Sequence, residues 1–217
     1  MSRNTAEIIQ LKKTKKDGLI DDAVHQSILS YLTKDKFAIV PVDFVYGISA
    51  RDTNENYVQL LQLIESDKAL IWRLIHNFKM MEELVSVGKH EFDFLHRIWP
   101  GEMVVYLEVK DTGLQHLPLR IPKSRLCQEI INNLDKPLLF APLLKMEDRP
   151  LYQKSTIIDY YKNIVDCIVI IDEFCKEHTL PTILDLRNNE LKIMNEGRIS
   201  AEEIKSLYFL GKDDSAD

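Results

Sequence analysis

The chain is poor in the residues that several kinds of site require. Seven glycines in 217 residues leave little room for a glycine-rich phosphate cradle, and no Walker A loop occurs. No serine sits in a G-x-S-x-G elbow, and His90 and His96 lack the glutamate pattern of a zinc protease. Cys127, Cys167 and Cys175 are odd in number and show no metal-like pairing with the six histidines. They read as reduced thiols, not as a disulfide framework or a zinc site. No apolar run has the length of a signal peptide or a membrane span, so the expectation is a cytoplasmic protein. An excess of basic charge is also missing. With 28 Lys and Arg against 34 Asp and Glu, the net charge is −6 and the pI about 5.6. That balance weighs against broad nucleic-acid binding, which draws mostly on basic side chains meeting phosphates.

What is present suits a globular fold. A hydrophobic share of 45% and a charged share of 29% are ordinary for such a chain, and the length fits one domain over residues 1–211. The last residues, 212–217, read as a frayed acidic tail. Lys12, Lys13, Lys15 and Lys16 form the densest basic group. Two readings fit them, a solvated and partly flexible arm or a contact with RNA.

The stretch that organises the chain is Phe37 to Gly47, F-A-I-V-P-V-D-F-V-Y-G. Its β-formers predict a strand, Pro41 ends it, and Gly47 offers a positive φ for a loop delivered into a cleft. Before it, Asp21 or Asp22 caps a helix with Val24, Ile28 and Leu32 inward. After it, Asn54 caps a helix with Val58, Leu61 and Ile64 inward. Strands are predicted over 69–75, 103–109, 119–122, 137–141 and 167–171, and helices over 78–87, 91–98, 126–134 and 156–162. Residues 182–186 and 191–194 read as a hairpin around Asn188-Asn189, and Ser200 with Glu203 as a capping box before a last helix. Strands and helices interleave irregularly. The expected class is α+β, in three α/β layers, with a twisted mixed sheet and helices on both faces.

Pro41-Val42-Asp43-Phe44-Val45-Tyr46-Gly47-Ile48 resembles the P-T-D-T-x-Y-G-L signature of the YrdC-like family, the threonylcarbamoyl-AMP synthases and their relatives. Trp99-Pro100-Gly101 and Arg120-Ile121-Pro122 continue the likeness in the family's order and spacing. The resemblance implies the YrdC-like fold. For active members it also implies condensation of threonine, bicarbonate and ATP, with magnesium, toward threonylcarbamoyladenosine in tRNA. It further implies the association of such domains with double-stranded RNA.

The residues that would carry this chemistry are mostly replaced. Both signature threonines are gone, as Val42 and Phe44. The family's lysine and arginine after the next helix align with Ile64 and Ser66, its proline and threonine after Trp99-Pro100-Gly101 with Glu102 and Val104. Its S-x-S-A-N donors become Phe140-Ala141-Pro142-Leu143-Leu144, its late serine-threonine pair becomes Pro181-Thr182, and an arginine beside the last glycine becomes Asn195. One missing donor at a site of developing charge weakens stabilisation by about 2 to 4 kcal/mol. Several missing together should abolish the reaction.

Six candidates remain for a substrate or another small ligand in the cleft: Asp43, Tyr46, Lys68, Arg120, Thr182 and Arg198. Asp43 suits building the turn or catalysis, Arg120 a bidentate carboxylate contact or a structural ion pair, and Tyr46 a cleft hydroxyl or a core position. Lys68 matches a second family lysine once two residues are deleted before it, or is a solvated lysine after a helix, and Arg198 follows Gly197 at a position shifted from the family arginine. Three functions therefore compete: a YrdC-like pseudoenzyme binding another ligand or partner, an ATP-dependent adenylating enzyme of changed substrate, and an RNA module using the N-terminal lysines. A pocket ringed by Phe44, Phe140 and Leu144 favours the first; one ringed by cations favours an enzyme.

Overall fold

The computed structural model describes residues 5–64, 70–110, 117–144, 149–172 and 180–210. Lys68, Cys175 and the acidic tail lie outside the described residues. One mixed sheet dominates. Its strands are β1 (Glu7–Leu11), β2 (Ala38–Val42), β3 (Val45–Arg51), β4 (Trp72–Leu74), β5 (Val85–Ser86), β6 (Val104–Val109), β7 (Leu117–Arg120), β8 (Leu138–Pro142), β9 (Cys167–Ile171), β10 (Ile183–Asp185) and β11 (Lys192–Asn195). They lie in the order β1-β9-β2-β3-β8-β4-β7-β6-β10-β11, and β5 pairs with the far end of β6.

β2, β8 and β9 are apolar at every position because both faces are covered. Ala38, Val40 and Val42 of β2, with Cys167 and Val169 of β9, face one way. There they meet Ile28 and Leu32 of α1 (Asp22–Leu32) and Leu126, Ile130 and Ile131 of α5 (Arg125–Leu134). Ile39, Ile168 and Ile170 face the other way, toward Leu60 of α2 (Asn54–Leu63) and Ile157 of α6 (Lys154–Tyr161). A further apolar cluster joins α3 (Phe78–Leu84), α4 (Lys89–Ile98) and α7 (Ala201–Phe209) to β6, β7 and β10.

The central run is a hairpin, not a strand that ends in an open loop. β2 pairs antiparallel with β3 from Ala38↔Ser49 to Val42↔Val45, leaving only Asp43 and Phe44 in the turn. Asp43 takes a left-handed φ of 52°, which aspartate tolerates better than most residues. Pro41 is one step from the closing pair, where a backbone N–H points away from the partner strand. On that outer side β9 pairs only with Ala38 and Ile39, so the missing donor costs nothing. Gly47 has no positive φ. It is required for space: a Cβ there would overlap the Phe140 ring and sit 2.7 Å from the Ala141 carbonyl oxygen.

Other differences have equally local causes. The cap of α2 is Thr53, whose hydroxyl accepts from the Asn56 N–H at 3.1 Å. Asn56 and Leu60 then face the core, while Val58 and Leu61 are exposed. The segment before the lysines is not a free arm, because β1 runs parallel to β9 through five register pairs. Lys15 pairs with Asp21 at 3.1 Å. The C-terminal hairpin forms as expected, with Asn188 at φ 60°, and Ser200 accepts from the Glu203 N–H at 3.2 Å.

Candidate functional site

The tip of the β2–β3 hairpin meets the end of β7. Arg120 is fully buried; its Nε donates to the Gly101 carbonyl at 2.8 Å, and its Nη2 makes an ion pair with the Asp43 carboxylate. The Lys123 N–H also donates to Asp43, at 3.3 Å. Burial lowers the pKa of the Arg120 guanidinium, and Asp43 and then Glu102 oppose that shift by their charge. Among the described residues no partner meets Nη1 of Arg120.

Arg198 converges on the same place. Its Nη1 pairs with Glu102 at 3.2 Å, and its guanidinium lies 5.6 Å from the centre of the Phe44 ring. Arg120 lies 5.7 Å from that ring. Phe44, where the family signature has threonine, is thus 2% exposed with a guanidinium against it from each arginine. Each arginine also has a carboxylate, so the cluster of Asp43, Arg120, Glu102 and Arg198 is balanced in charge.

The remaining candidates sit apart. Tyr46 is 1% exposed; its hydroxyl donates to the Ile171 carbonyl at 3.2 Å and accepts from the Ile171 N–H at 3.1 Å. Burial pushes its phenol up to about 12. Thr182 accepts from the Gly197 N–H at 2.9 Å and donates to the Ile199 carbonyl at 3.1 Å, pinning the turn that carries Arg198. Asn195, at the family arginine position, donates to the Pro181 carbonyl at 3.1 Å. Phe140, Ala141 and Leu143 are buried in the core, as is Val104, and Ile64 packs half-buried at the end of α2. Among the described residues, no group of three or more His, Cys, Asp or Glu could hold a metal ion. The residues at the family's ligand positions that are described do not fit a triphosphate, whose charge needs paired cations in so apolar a setting.

An open cleft of about 450 Å³ lies on the outer side of the hairpin, lined by Lys13, Thr14, Gly18, Pro41, Asp43, Lys123, Ser124, Arg125, Leu126 and Ile171. Phe44, Phe140 and Leu144 do not line it, and three cations do. Sequence reading had passed over Lys123 and Arg125. They flank Ser124, the N-cap of α5, whose hydroxyl accepts from the Cys127 N–H at 3.3 Å. The serine three places before Cys127 was the available signal.

The Sua5/YciO/YrdC family model, described as telomere recombination, matches residues 30–197. No curated protein matches the sequence significantly. Among solved structures, a H234A/Y235A variant of P. abyssi Sua5 is 18% identical with a TM-score of 0.77, the match covering 93% of this chain and 63% of that one. P. abyssi Sua5 complexed with L-threonine is 16% identical, with a TM-score of 0.79 and coverage of 92% and 60%. E. coli YciO is 14% identical, with a TM-score of 0.78 and coverage of 92% and 99%. The chain therefore spans about three fifths of the Sua5 structures and nearly all of YciO. No helix among the described residues is long and apolar enough to cross a membrane. With a family match over most of its length and this shared architecture, the chain belongs to the Sua5/YciO/YrdC family.

Proposed function

We propose that this chain keeps the family architecture without threonylcarbamoyl-AMP synthase chemistry, and that it binds a different small ligand or a partner. The observation that carries this reading is the state of Arg120 and Arg198. Both guanidiniums already have a carboxylate, and both lie against the Phe44 ring, which stands where the family signature has a threonine hydroxyl. The apolar residues at the family's donor positions support the same reading, since Phe140 to Leu143 are packed in the core. The cations around the open cleft lie outside the family's ligand positions and supply charge without those donors.

The test is incubation of the purified chain with threonine, bicarbonate, ATP and magnesium while pyrophosphate is followed. The expected result is no release above the enzyme-free rate, with an active family synthase as the positive control. Release that saturates with threonine, and that is lost in Arg198→Ala, overturns the proposal.

A further inference from the structure

The open cleft sits where three parallel strands end. β1 and β2 both run parallel to β9, and the cleft is lined by residues at or just past their carboxyl ends: Lys13 after β1, Ile171 in β9, and Pro41 and Asp43 at β2. β2 and β9 are paired only through Ala38 and Ile39, so the sheet splits before Pro41 and Ile171 are reached. A split at strand carboxyl ends is the place where open α/β sheets receive ligands. Its size falls within the range of small-molecule pockets.

The lining supplies the chemistry of an anion site. Lys13 and Lys123 are exposed and have no carboxylate partner among the described residues, and Arg125 is held only by Glu129 at 3.6 Å, one turn along α5. The same cleft takes in the start of α5, which has no acidic residue in its first turn. The first amides of a helix have no intrahelical acceptor. Here Ser124 satisfies that of Cys127, and Arg125 and Leu126, the first two residues of the helix, line the cleft. Of the nearby acids, Asp43 pairs with Arg120 and Asp21 with Lys15, and Asp17 accepts from the Leu19 N–H.

We propose that this cleft binds a phosphorylated small molecule, with the phosphate held by Lys13, Lys123, Arg125 and the amino end of α5. A small molecule fits better than RNA. The site is concave, the segment carrying Lys13 also carries Asp17, Asp21 and Asp22, and the whole chain is acidic. None of the three cations is at a position the family signature marks, so this inference stands whether or not synthase activity is lost.

Titration calorimetry of the full chain at low salt, with inorganic phosphate and with AMP as probes, tests it. Wild type and Lys79→Gln, an exposed lysine of α3, should bind alike. Lys13→Gln and Lys123→Gln should each weaken binding about tenfold, and the double variant about a hundredfold, with the thermal midpoint unchanged. Absence of heat from wild type at about 10 mM of either probe, or equal binding by the double variant, overturns the proposal. Loss of binding in Arg198→Ala with retention in the double variant would move the ligand to the family pocket and overturn it too. So would duplex RNA binding more tightly than AMP through the same lysines.

Discussion

Asp43 shows how one side chain can shape a site. Its carboxylate pairs with the fully buried Arg120 and accepts from the Lys123 N–H, while its backbone takes the left-handed turn between β2 and β3. Removing it leaves a guanidinium buried with no opposing charge in contact, and such a loss costs about 3 to 5 kcal/mol. Asp43→Ala should therefore lower stability by about that amount in urea denaturation at pH 7. Arg120→Met made together with Asp43→Ala removes the stranded charge and should recover part of the loss. A double variant no more stable than Asp43→Ala would mean that the turn, and not the ion pair, is what Asp43 supports. The sequence marked both residues as candidates. It left their roles open, because they are 77 positions apart and only the fold makes them partners.

At the scale of elements, the reading succeeded where local pattern decides and failed where distant neighbours do. The run Cys167 to Ile171 is a strand buried on both faces, and α1 buries Ile28 and Leu32 of the stripe its spacing implies, with Val24 half-buried beside them. β1 was missed because Glu7 to Leu11 has mostly exposed or half-exposed side chains; its place comes from pairing with β9. α2 was turned by its cap: once Thr53 starts the helix, Asn56 faces inward, its Nδ2 donating to the Arg51 carbonyl at 2.9 Å and to Asp35 at 3.0 Å. The cleft was illegible for the same reason, since Lys13, Lys123 and Ile171 come from three separate segments. Tyr46 ties the sheet together beside that cleft, because its hydroxyl joins β3 to the end of β9 beyond the point where β2 and β9 stop pairing. Tyr46→Phe strands the Ile171 N–H and carbonyl in a buried setting, which should cost about 1 to 3 kcal/mol. Hydrogen exchange at Ile171 should quicken in that variant while exchange at Ile168 stays slow. Uniform quickening along β9 would show that the strand is held by its neighbours and not by this hydroxyl.

At the scale of the molecule, the sheet reaches beyond the stretch that the family model matches. The family match begins at residue 30, and β1 precedes it. β1 covers all of β9 in register, from Glu7↔Cys167 to Leu11↔Ile171, and Glu7 is tied to α1 by the Tyr31 hydroxyl at 2.8 Å and the Ser27 hydroxyl at 3.2 Å. Without β1, the strand left at the edge would be Cys-Ile-Val-Ile-Ile, with no charge and no proline to block a further strand. Bare edges of that kind recruit other chains. A chain starting at Lys12 keeps the lysine that lines the cleft but loses about five strand pairings, each worth on the order of 1 kcal/mol net. Its urea midpoint should fall, and light scattering should rise with protein concentration, while a synthetic peptide of residues 5–11 should reverse both effects by adding the strand back. If the shortened chain stays monodisperse with an unchanged midpoint, β1 is an ornament of the sheet; if the peptide rescues it, the first strand is what keeps this sheet from pairing with its copies.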